Sequence, residues 1–564
     1  MGDGVPSKTV FLACGFTPLH LQTFLAAELR LIFPGTRVEV NTGLFGDLIG
    51  NVERLGGASL EALAVAIEWS DIDPRLGIRN LGGWPADLTE VLKSTEASAS
   101  RLLQTLFQIS RITPTVVSMP TLPLPPMFPT RASQAGVYET ELHRIAASLA
   151  ASLSQSSNIR VVNSQLLGQL SPLHGRYDPK ADVSSGFPYT LQHASSVGRV
   201  LAELIYNRAP MKGVITDLDD TLWAGVLGED GVDGISWNLD HGAHMHGLYQ
   251  QFLASLASTG VLIGVASKNE LALVETALAR NDLLLPRKDI FPVEAHWSRK
   301  TESVRRILDT WNIGADSVVF IDDNSMEVDE IRANFPEMDC KLFPKGDDKA
   351  IFELLESLRN AFGKTTITDE DALRLESLRR AGVRKKDQAA GSLSTDEFLR
   401  SADAAIVFEH GTVDDKRAFE LINKTNQFNL NGKRLSEGQW RHIFDDPTSF
   451  LLSVTYKDKY GPLGKIAAII GRERGSTVIV EHWAMSCRAF SRRIEHQCLN
   501  YLFESMVADQ IDFAYEETPR NGPMREFLQK QMAVETLESA SLTQAQFAKQ
   551  VPLLFHQVEV LSHV

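Results

Sequence analysis

The chain has 564 residues, more than a single hydrophobic core can serve, and we expect about three or four domains. Its net charge of −15 argues against non-specific nucleic-acid binding, which depends on clustered Lys and Arg. The four cysteines form neither a disulfide framework nor a CxxC zinc pair, and no apolar run reaches the roughly 18 residues that span a bilayer. These features predict a cytoplasmic protein without a membrane anchor.

Strands and helices alternate along the first two hundred residues. Apolar runs predict strands at 9–16, 37–45, 113–120 and 159–167, and helical periodicity predicts helices at 19–33, 59–69, 97–109 and 138–155. A proline-rich run at 121–129 can be neither helix nor central strand, and we interpret it as a loop. The alternation predicts βαβ units on a mostly parallel sheet.

A second alternating series begins at residue 212 and a third pattern follows it. The second series predicts strands in 212–220, 260–268 and 316–324 and helices at 246–259, 271–280, 300–312 and 325–335. The pattern weakens at 363–371. Beyond it we expect a helix at 371–387 and antiparallel strands at 448–458, 465–474 and 476–487. We therefore predict an α/β multidomain protein with domains at 1–210, 211–365 and 366–564.

Carboxylates crowd the end of the strand in GVITDLDDTLWAG. Asp217 closes the apolar run and Asp219 follows two residues later. Ligands of parallel α/β sheets lie at the carboxyl ends of the strands. Two carboxylates this close repel each other unless a cation separates them, and Mg²⁺ prefers carboxylate oxygens. The stretch therefore predicts a magnesium site at which a carboxylate can attack phosphorus.

Later strand ends supply the rest of a phosphoryl-transfer site. Ser267 ends the strand in VLIGVASKN and offers a hydroxyl to a phosphoryl oxygen. Lys300 stands at a predicted helix start, where its charge could bridge the attacking carboxylate and the phosphate. Asp322 and Asp323 end the strand in VVFIDDN and are further candidate metal ligands. An acidic turn would explain any one of these clusters, but it does not explain the set.

The order of these motifs resembles the haloacid-dehalogenase (HAD) superfamily, whose DxDx[TV] motif matches Asp217, Asp219 and Thr221. The resemblance implies a Rossmann-like parallel sheet, with Asp217 as nucleophile and Asp219 as general acid and base. It also implies Mg²⁺ held by Asp217, the main-chain carbonyl of Asp219, and Asp322. The stretch after Thr221 is short and rich in glycine, which predicts a minimal cap and a site open to large substrates.

A narrower resemblance extends over residues 211–525, to the FkbH-like proteins of polyketide biosynthesis. It rests on DLDDTLWAGVLGEDG, ASKNE, HWSRK, FIDDNSMEV, INKTNQFNLNGKR, DKYGPLGKIA, WAMSCRAFSRRIE and ETPRNGP. This family resembles a HAD domain fused to an acetyltransferase-like (GNAT) α+β domain. The resemblance implies transfer of a glyceryl unit from 1,3-bisphosphoglycerate, a phosphorylated three-carbon acyl donor, to the phosphopantetheine thiol of an acyl carrier protein.

Cys487 is the candidate acyl acceptor within the chain. It ends a strand and precedes an arginine-rich helix, where Arg488 and Arg492 would lower the pKa of the thiol. A cysteine that closes a strand is by itself more often a packing residue. The match to the SCR run of the FkbH-like proteins is what favours a thioester role.

The same region departs from the acetyltransferase pattern. The [QR]xxGx[GA] motif that holds the CoA pyrophosphate has both glycines replaced, by Ser491 and Arg493, so CoA binding by that route is doubtful. Arg488 and Arg492 could instead contact a carrier protein or its pantetheine phosphate. Asn426 and Asn429 could orient a glyceryl hydroxyl or pantetheine, or simply stabilise a loop.

The N-terminal segment resembles the SGNH-hydrolase domains that precede longer FkbH-like proteins. The usual nucleophilic serine after the first strand is absent, and Gly15, Phe16 and Thr17 stand there. Asn163 and His193 match later motifs only weakly and complete no triad. We interpret 1–210 as a non-catalytic domain.

Three functions remain open from the sequence. The leading one is an Mg²⁺-dependent phosphatase and glyceryl transferase that loads an acyl carrier protein. The first alternative is a HAD phosphatase of a small phosphate ester, with a regulatory or separate N-acyltransferase domain. The second is a scaffold that only binds Mg²⁺.

Overall fold

The computed structural model describes residues 7–55, 60–79, 87–126, 128–364, 395–459, 461–486, 489–490, 492–518, 520–537 and 540–561. The chain forms two compact units, Met1–Arg208 with Leu435–Asp445, and Ala209–Arg434 with Asp446–Val564. The first contains one parallel sheet, and the second a parallel and a mixed sheet. The α/β multidomain class is thus confirmed. The finer division at 210 and 365 stays a prediction.

The first unit is built on a five-stranded parallel sheet. Its strands are β1 Ser7–Ala13, β2 Arg37–Thr42, β3 Ala62–Ala66, β4 Thr115–Ser118 and β5 Ile159–Val161, in the order β2-β1-β3-β4-β5. Its helices are Leu19–Ile32, Leu48–Glu53, Trp69–Ile72, Leu88–Ser110, Val137–Leu153, Ser164–Leu170, Pro179–Ser185, Leu191–Tyr206 and Glu437–Ile443. Buried aliphatic side chains on both faces of the sheet form its core.

One element of this unit contradicts the sequence interpretation. The predicted helix at 59–69 is instead strand β3, followed by the short helix Trp69–Ile72. All five residues of β3 are buried, because helices cover both faces of the sheet. A short run that is apolar throughout has no periodicity to separate strand from helix, and its alanines and leucine favoured the wrong choice.

The second unit opens with another parallel sheet. Its strands are β6 Gly213–Thr216, β7 Leu262–Ser267, β8 Ile290–Ala295, β9 Val318–Asp322 and β10 Asp339–Leu342, in the order β10-β9-β6-β7-β8. Its helices are Leu227–Gly234, His244–Ser258, Leu271–Leu278, Lys300–Trp311, Ser325–Asn334 and Asp348–Phe362. Strands β8 and β10 were not predicted. The connection from Thr221 to His244 is short, as expected for a minimal cap.

The mixed sheet follows in the same unit. Its strands are β11 Ala405–His410, β12 Phe428–Asn429, β13 Ser449–Asp458, β14 Gly461–Arg474, β15 Thr477–Met485, β16 Gln510–Phe513, β17 Ser541–Thr543 and β18 Gln557–Leu561. The order is β17-β16-β15-β14-β13-β11-β18, with β12 paired to β15. Its helices are Thr395–Ser401, Lys416–Lys424, Ile494–Glu504, Gly522–Met532 and Gln544–Gln550. The helix predicted at 371–387 lies outside the described residues.

The length and hydropathy of the helices bear on membrane insertion. Within the described part of the chain, none combines the length with the apolar character that crossing a bilayer requires.

Candidate active site

The site lies at the carboxyl edge of the β6–β10 sheet. Strand β6 lies between β9 and β7, so the residues that end these three strands are neighbours. Asp217 follows β6, Asp322 ends β9 and Ser267 ends β7. The three strands are buried along their whole length, which fixes where each polar residue emerges. The sequence-predicted residues therefore meet in one place.

Lys300 joins the two central carboxylates. It is the first residue of the helix Lys300–Trp311, and its side chain is only 5% exposed. Its Nζ lies 3.0 Å from Asp217 Oδ2 and 2.5 Å from Asp322 Oδ2. One buried cation thus faces two buried anions, an arrangement in which each charge depends on the others.

The electrostatics of this triad follow from burial. Burial raises the pKa of Asp217 to about 7; Lys300 opposes the shift and Asp322 adds to it. Burial also raises the pKa of Asp322, again against the effect of Lys300. Burial opposes the charge on Lys300, but the two carboxylates outweigh it and raise the pKa of the ammonium above its usual value. The site carries an excess of negative charge that a further cation would neutralise.

The residues present fit a magnesium ion. Carboxylate oxygens of Asp217, Asp322 and Asp323 lie within 4.8 Å of one another. Asp217 Oδ1 is buried and has no hydrogen-bond partner among the described residues. A buried carboxylate oxygen without a donor is costly unless a cation satisfies it. Hard divalent ions such as Mg²⁺ bind such oxygen sets.

Asp219 is held beside this group by hydrogen bonds. Its Oδ1 accepts from Trp223 Nε1 at 3.0 Å and from the Leu227 amide at 3.1 Å, and its Oδ2 accepts from Asn269 Nδ2 at 2.9 Å. The carboxylate is not among the three that cluster as possible metal ligands. Its main-chain carbonyl is the atom that the family resemblance assigns to the metal.

The hydroxyl groups of Ser267 and Thr221 were also predicted to belong to the site. Ser267 is buried, and its Oγ accepts a hydrogen bond from Asn269 Nδ2 at 3.1 Å. Thr221 is also buried, and its Oγ1 has no hydrogen-bond partner among the described residues. Asn269 therefore links Ser267 to Asp219. Sequence reasoning missed it, although it stands two residues after Ser267 in the ASKNE motif.

A second lysine at the site had no sequence signal. Lys345 Nζ lies 2.8 Å from Asp323 Oδ2 and 3.0 Å from Asp220 Oδ2. It follows β10, a strand that the sequence analysis did not find. Asp323 is therefore an ion-pair partner as well as a candidate metal ligand.

The site residues predicted in the C-terminal part cannot all be placed in the structure. Cys487 and Arg488 lie outside the described residues. Arg492 is 5% exposed; its Nε lies 3.4 Å from Asp458 Oδ2 and its guanidinium stacks over Tyr456. This placement leaves little of Arg492 for an approaching partner.

The two asparagines of NKTNQFN have different surroundings. Asn429 is buried and donates to the carbonyls of Ile422 and Thr425, while its Oδ1 accepts from the amides of Asn431 and Gly432. Its amide thus stabilises the loop. Asn426 bonds to Arg434 through its oxygen and lines a cavity described below.

In the first unit, Gly15 stands where the sequence resemblance would place a nucleophilic serine. A Cβ at Gly15 would lie 1.9 Å from Asp71 Oδ1, so that carboxylate fills the space. Asn163 caps the helix Ser164–Leu170. His193 is fully buried and hydrogen-bonds Thr121 Oγ1 and Ser171 Oγ at 2.8 and 2.9 Å. These positions are those of structural residues.

The same unit has a pH-dependent element at Glu68. This carboxyl is 1% exposed and accepts hydrogen bonds from Thr121 and Tyr189, and burial raises its pKa to about 7. The folded state therefore retains the proton up to about pH 7, whereas the unfolded state loses it near pH 4.5. Stability from this group is present below pH 4.5 and is lost as the pH rises to 7.

We expect Glu68→Gln, which imitates the protonated acid, to gain stability relative to the parent chain as the pH rises. Between pH 4.5 and 7 the free energy of unfolding of the variant, relative to that of the parent, should rise by about 3 kcal/mol. Hydrogen exchange of the amides of 62–72, measured on both chains at each pH, checks this. The contribution of His193 is the same in both chains and cancels in the difference. That of Asp71, whose pKa the charge of Glu68 helps to raise, becomes smaller in the variant. A difference that stays constant with pH contradicts the assignment.

The similarity of this chain to known proteins lies in its structure rather than in its sequence. No family model matches the chain, and no curated protein sequence matches it. The N-terminal part of the protein BF1531 from Bacteroides fragilis, which contains a phosphatase domain and was crystallised with Mg, has a similar structure. The TM-score is 0.51 at 20% sequence identity, over 64% of this chain and 95% of that one. At this identity the likeness shows a shared fold.

An acyltransferase was also found among the solved structures. The salicylyl-acyltransferase SsfX3 from a tetracycline biosynthetic pathway has a TM-score of 0.22 and 11% identity over 36% of this chain and 54% of that one. This likeness is too low to carry an argument.

Proposed function

We propose that the chain is a magnesium-dependent phosphoryl-transfer enzyme of the HAD type, with Asp217 as nucleophile. The observation that carries this proposal is the buried Lys300 between Asp217 and Asp322, beside a carboxylate oxygen of Asp217 that has no described hydrogen-bond partner. The fold shared with BF1531, whose phosphatase domain binds Mg, supports the same choice.

The proposed reaction has two steps. Asp217 attacks phosphorus, the bond between phosphorus and the leaving oxygen breaks, and Asp219 gives its proton to that oxygen. Asp219 then takes a proton from water, and the hydroxide attacks phosphorus and releases Asp217 and inorganic phosphate. Lys300, Ser267 and Thr221 contact the phosphoryl oxygens and stabilise their charge.

Magnesium would be held by Asp217, Asp322 and the main-chain carbonyl of Asp219, with Asp323 nearby. When bound, it supplies positive charge that stabilises the phosphoryl oxygens.

We further propose that the substrate is a phosphorylated three-carbon acyl donor, 1,3-bisphosphoglycerate, and that the product is a glyceryl thioester on an acyl carrier protein. The thiolate of Cys487 attacks the acyl phosphate, the carbon–oxygen bond breaks, and phosphate leaves. The carrier thiol loses its proton to solvent and its sulfur attacks the acyl carbon; the bond from that carbon to the Cys487 sulfur breaks, which restores the Cys487 thiolate. The phosphate ester is hydrolysed at Asp217. The resemblance over 211–525 supports this specificity. The four cysteines, which form no disulfide framework in the sequence pattern, support a reducing cytoplasm as its location.

Intact-protein mass spectrometry tests the loading step. After mixing with 1,3-bisphosphoglycerate and a phosphopantetheinylated carrier, we expect a glyceryl adduct on Cys487 that passes to the carrier. Cys487→Ala should load no carrier yet hydrolyse a small phosphate ester at the parent rate, because Asp217 is untouched. Asp217→Asn should form only adducts that retain phosphate.

The matched control for this test is Cys340→Ala, which removes a buried thiol outside the proposed site and should load normally. Full loading by Cys487→Ala would remove the thioester route. Phosphatase turnover without any adduct on either protein would favour the simple phosphatase.

A further inference from the structure

A second cavity lies in the Ala209–Arg434 and Asp446–Val564 unit, away from the phosphoryl site. Its volume is about 310 Å³, which is within the usual range for small-molecule sites. Lys212, which precedes β6, and Leu262, which begins β7, line it, so it lies at the amino edge of that sheet. Asp217 is at the other end of β6, roughly 16 Å away. A ligand in this cavity cannot react at Asp217.

The opposite wall comes from the C-terminal half of the unit. The helix Lys416–Lys424 presents Arg417, Glu420 and Lys424 on one side, as its 3.6-residue period requires. The loop after the helix adds Asn426, and Arg520 closes the wall. Polar and apolar surface are therefore both available to a ligand.

The carboxylates of this cavity are already used within the protein. Glu420 is shared by Arg417, at 3.0 Å, and Lys424, at 3.2 Å. Glu337 pairs with Arg520 at 2.5 Å. Two cations on the helix thus share a single anion, which leaves a net positive charge on that wall.

Hydrogen-bond donors remain on the same wall. Of the five N–H donors of an arginine and the three of a lysine, Arg417 and Lys424 each direct one to Glu420. The oxygen of Asn426 is bonded to Arg434, so the group that Asn426 can offer to a ligand is its NH₂. The acceptor groups on this wall are already bonded within the protein, whereas donors and positive charge remain. Such a surface favours an anion that carries several hydrogen-bond acceptors.

We propose that this cavity is a second ligand site and that it binds a small oxyanion, a phosphate- or carboxylate-bearing metabolite. Arg417 and Lys424 contact the anionic group, and Asn426 donates to it. The apolar side chains of the cavity, such as Leu421 and Met485, contact the body of the ligand. The site is separate from the phosphoryl-transfer centre at Asp217. Ser486, which precedes Cys487, also lines the cavity, so the choice of three-carbon probes below rests on the proposed acyl transfer.

Isothermal titration calorimetry on the full-length Asp217→Asn chain, in EDTA, tests the site. This background prevents turnover and removes metal-dependent binding at the carboxyl edge. The probes are glycerol 3-phosphate and glycerate, which share a three-carbon body and differ in the anionic group. We expect saturable binding of at least one probe, at one site per chain, and the tighter probe identifies the group as phosphate or carboxylate.

Variants locate the binding. Arg417→Gln and Lys424→Gln should each weaken the affinity by at least about tenfold, which is about 1.4 kcal/mol. The matched control is Arg144→Gln, which removes an exposed arginine paired at the same i,i+3 spacing, with Glu141, in the other unit. Its affinity should equal that of the parent.

Hydrogen exchange gives a second measurement that does not require a variant. The bound probe should protect amides of 416–427 in the parent chain and leave those of 137–153 unchanged. Failure of both probes to saturate the Asp217→Asn chain at millimolar concentration overturns the proposal. Equal affinity in both glutamine variants and the parent also overturns it, since the anion would then bind elsewhere.

Discussion

Replacing Asp217 with Asn should lower phosphatase turnover by roughly four to six orders of magnitude, the range spanned when single members of a catalytic triad are removed. An amide has nearly the shape of the carboxylate but cannot attack phosphorus. The variant also loses half of the negative charge that Lys300 now faces, so its metal affinity should fall as well. Turnover of p-nitrophenyl phosphate with saturating Mg²⁺ measures the first effect.

The fold should survive this substitution. Asp322 remains 2.5 Å from Lys300, so the buried cation keeps one partner. The matched control is Asp309→Asn, which changes an exposed aspartate on the helix that begins at Lys300 and should retain full turnover. If Asp217→Asn kept a tenth or more of the parent turnover while folded, Asp217 could not be the nucleophile, and the scaffold alternative would gain.

The central residues of this site could be predicted from the sequence because each of them stands at the end of an apolar run that forms a strand. Each apolar run that ends in Asp217, Ser267 or Asp322 forms a buried strand of one parallel sheet. Parallel strands that are neighbours end at one edge, so residues far apart in sequence meet there. Their roles remain proposals, but their convergence is a property of the fold.

Other contacts could not be predicted because they depend on elements without a clear pattern. Lys345 reaches Asp323 only because β10 lies beside β9, and β10 has four residues and little periodicity. Strand β3 was taken for a helix for a related reason, since residues buried on both faces show no alternation. Hydrophobic periodicity reveals an element only where buried and exposed positions alternate, and it gives no signal for a strand that is buried on both faces.

Chemical type also proved a poor guide to accessibility. Arg492 was a candidate for contact with a carrier protein because an arginine can bind an acidic surface or a phosphate group. Here it is buried against Tyr456 and near Asp458, which a sequence cannot reveal since the two residues lie 36 and 34 positions away. Asn429 likewise uses its amide for its own loop, one of the two uses that the sequence left open.

Replacing Lys300 with Met should both abolish the proposed phosphatase turnover and destabilise the unit that contains the β6–β10 sheet. Removing one partner from a buried ion pair costs about 3–5 kcal/mol, because the remaining charge is left uncompensated. In this site two carboxylates, those of Asp217 and Asp322, would be left facing each other. Chemical denaturation without metal, followed by hydrogen exchange of the amides in β6 and β9, measures the loss.

The loss caused by Lys300→Met should depend on pH in a defined direction. The folded pKa of Asp217 is already about 7 through burial, and without the lysine it rises further. An acid whose folded pKa is raised contributes stability below its unfolded pKa and loses it as the pH rises, so the variant should approach the parent in acid and fall behind it at neutral pH. Saturating Mg²⁺ should restore part of the difference, because a divalent cation neutralises the same oxygens.

The matched control is Lys349→Met, a lysine 88% exposed in a helix of the same domain, which should show none of these effects. A Lys300→Met chain as stable as the parent at neutral pH without metal would mean that the two carboxylates are not both charged, and the proposed metal site would lose its electrostatic basis.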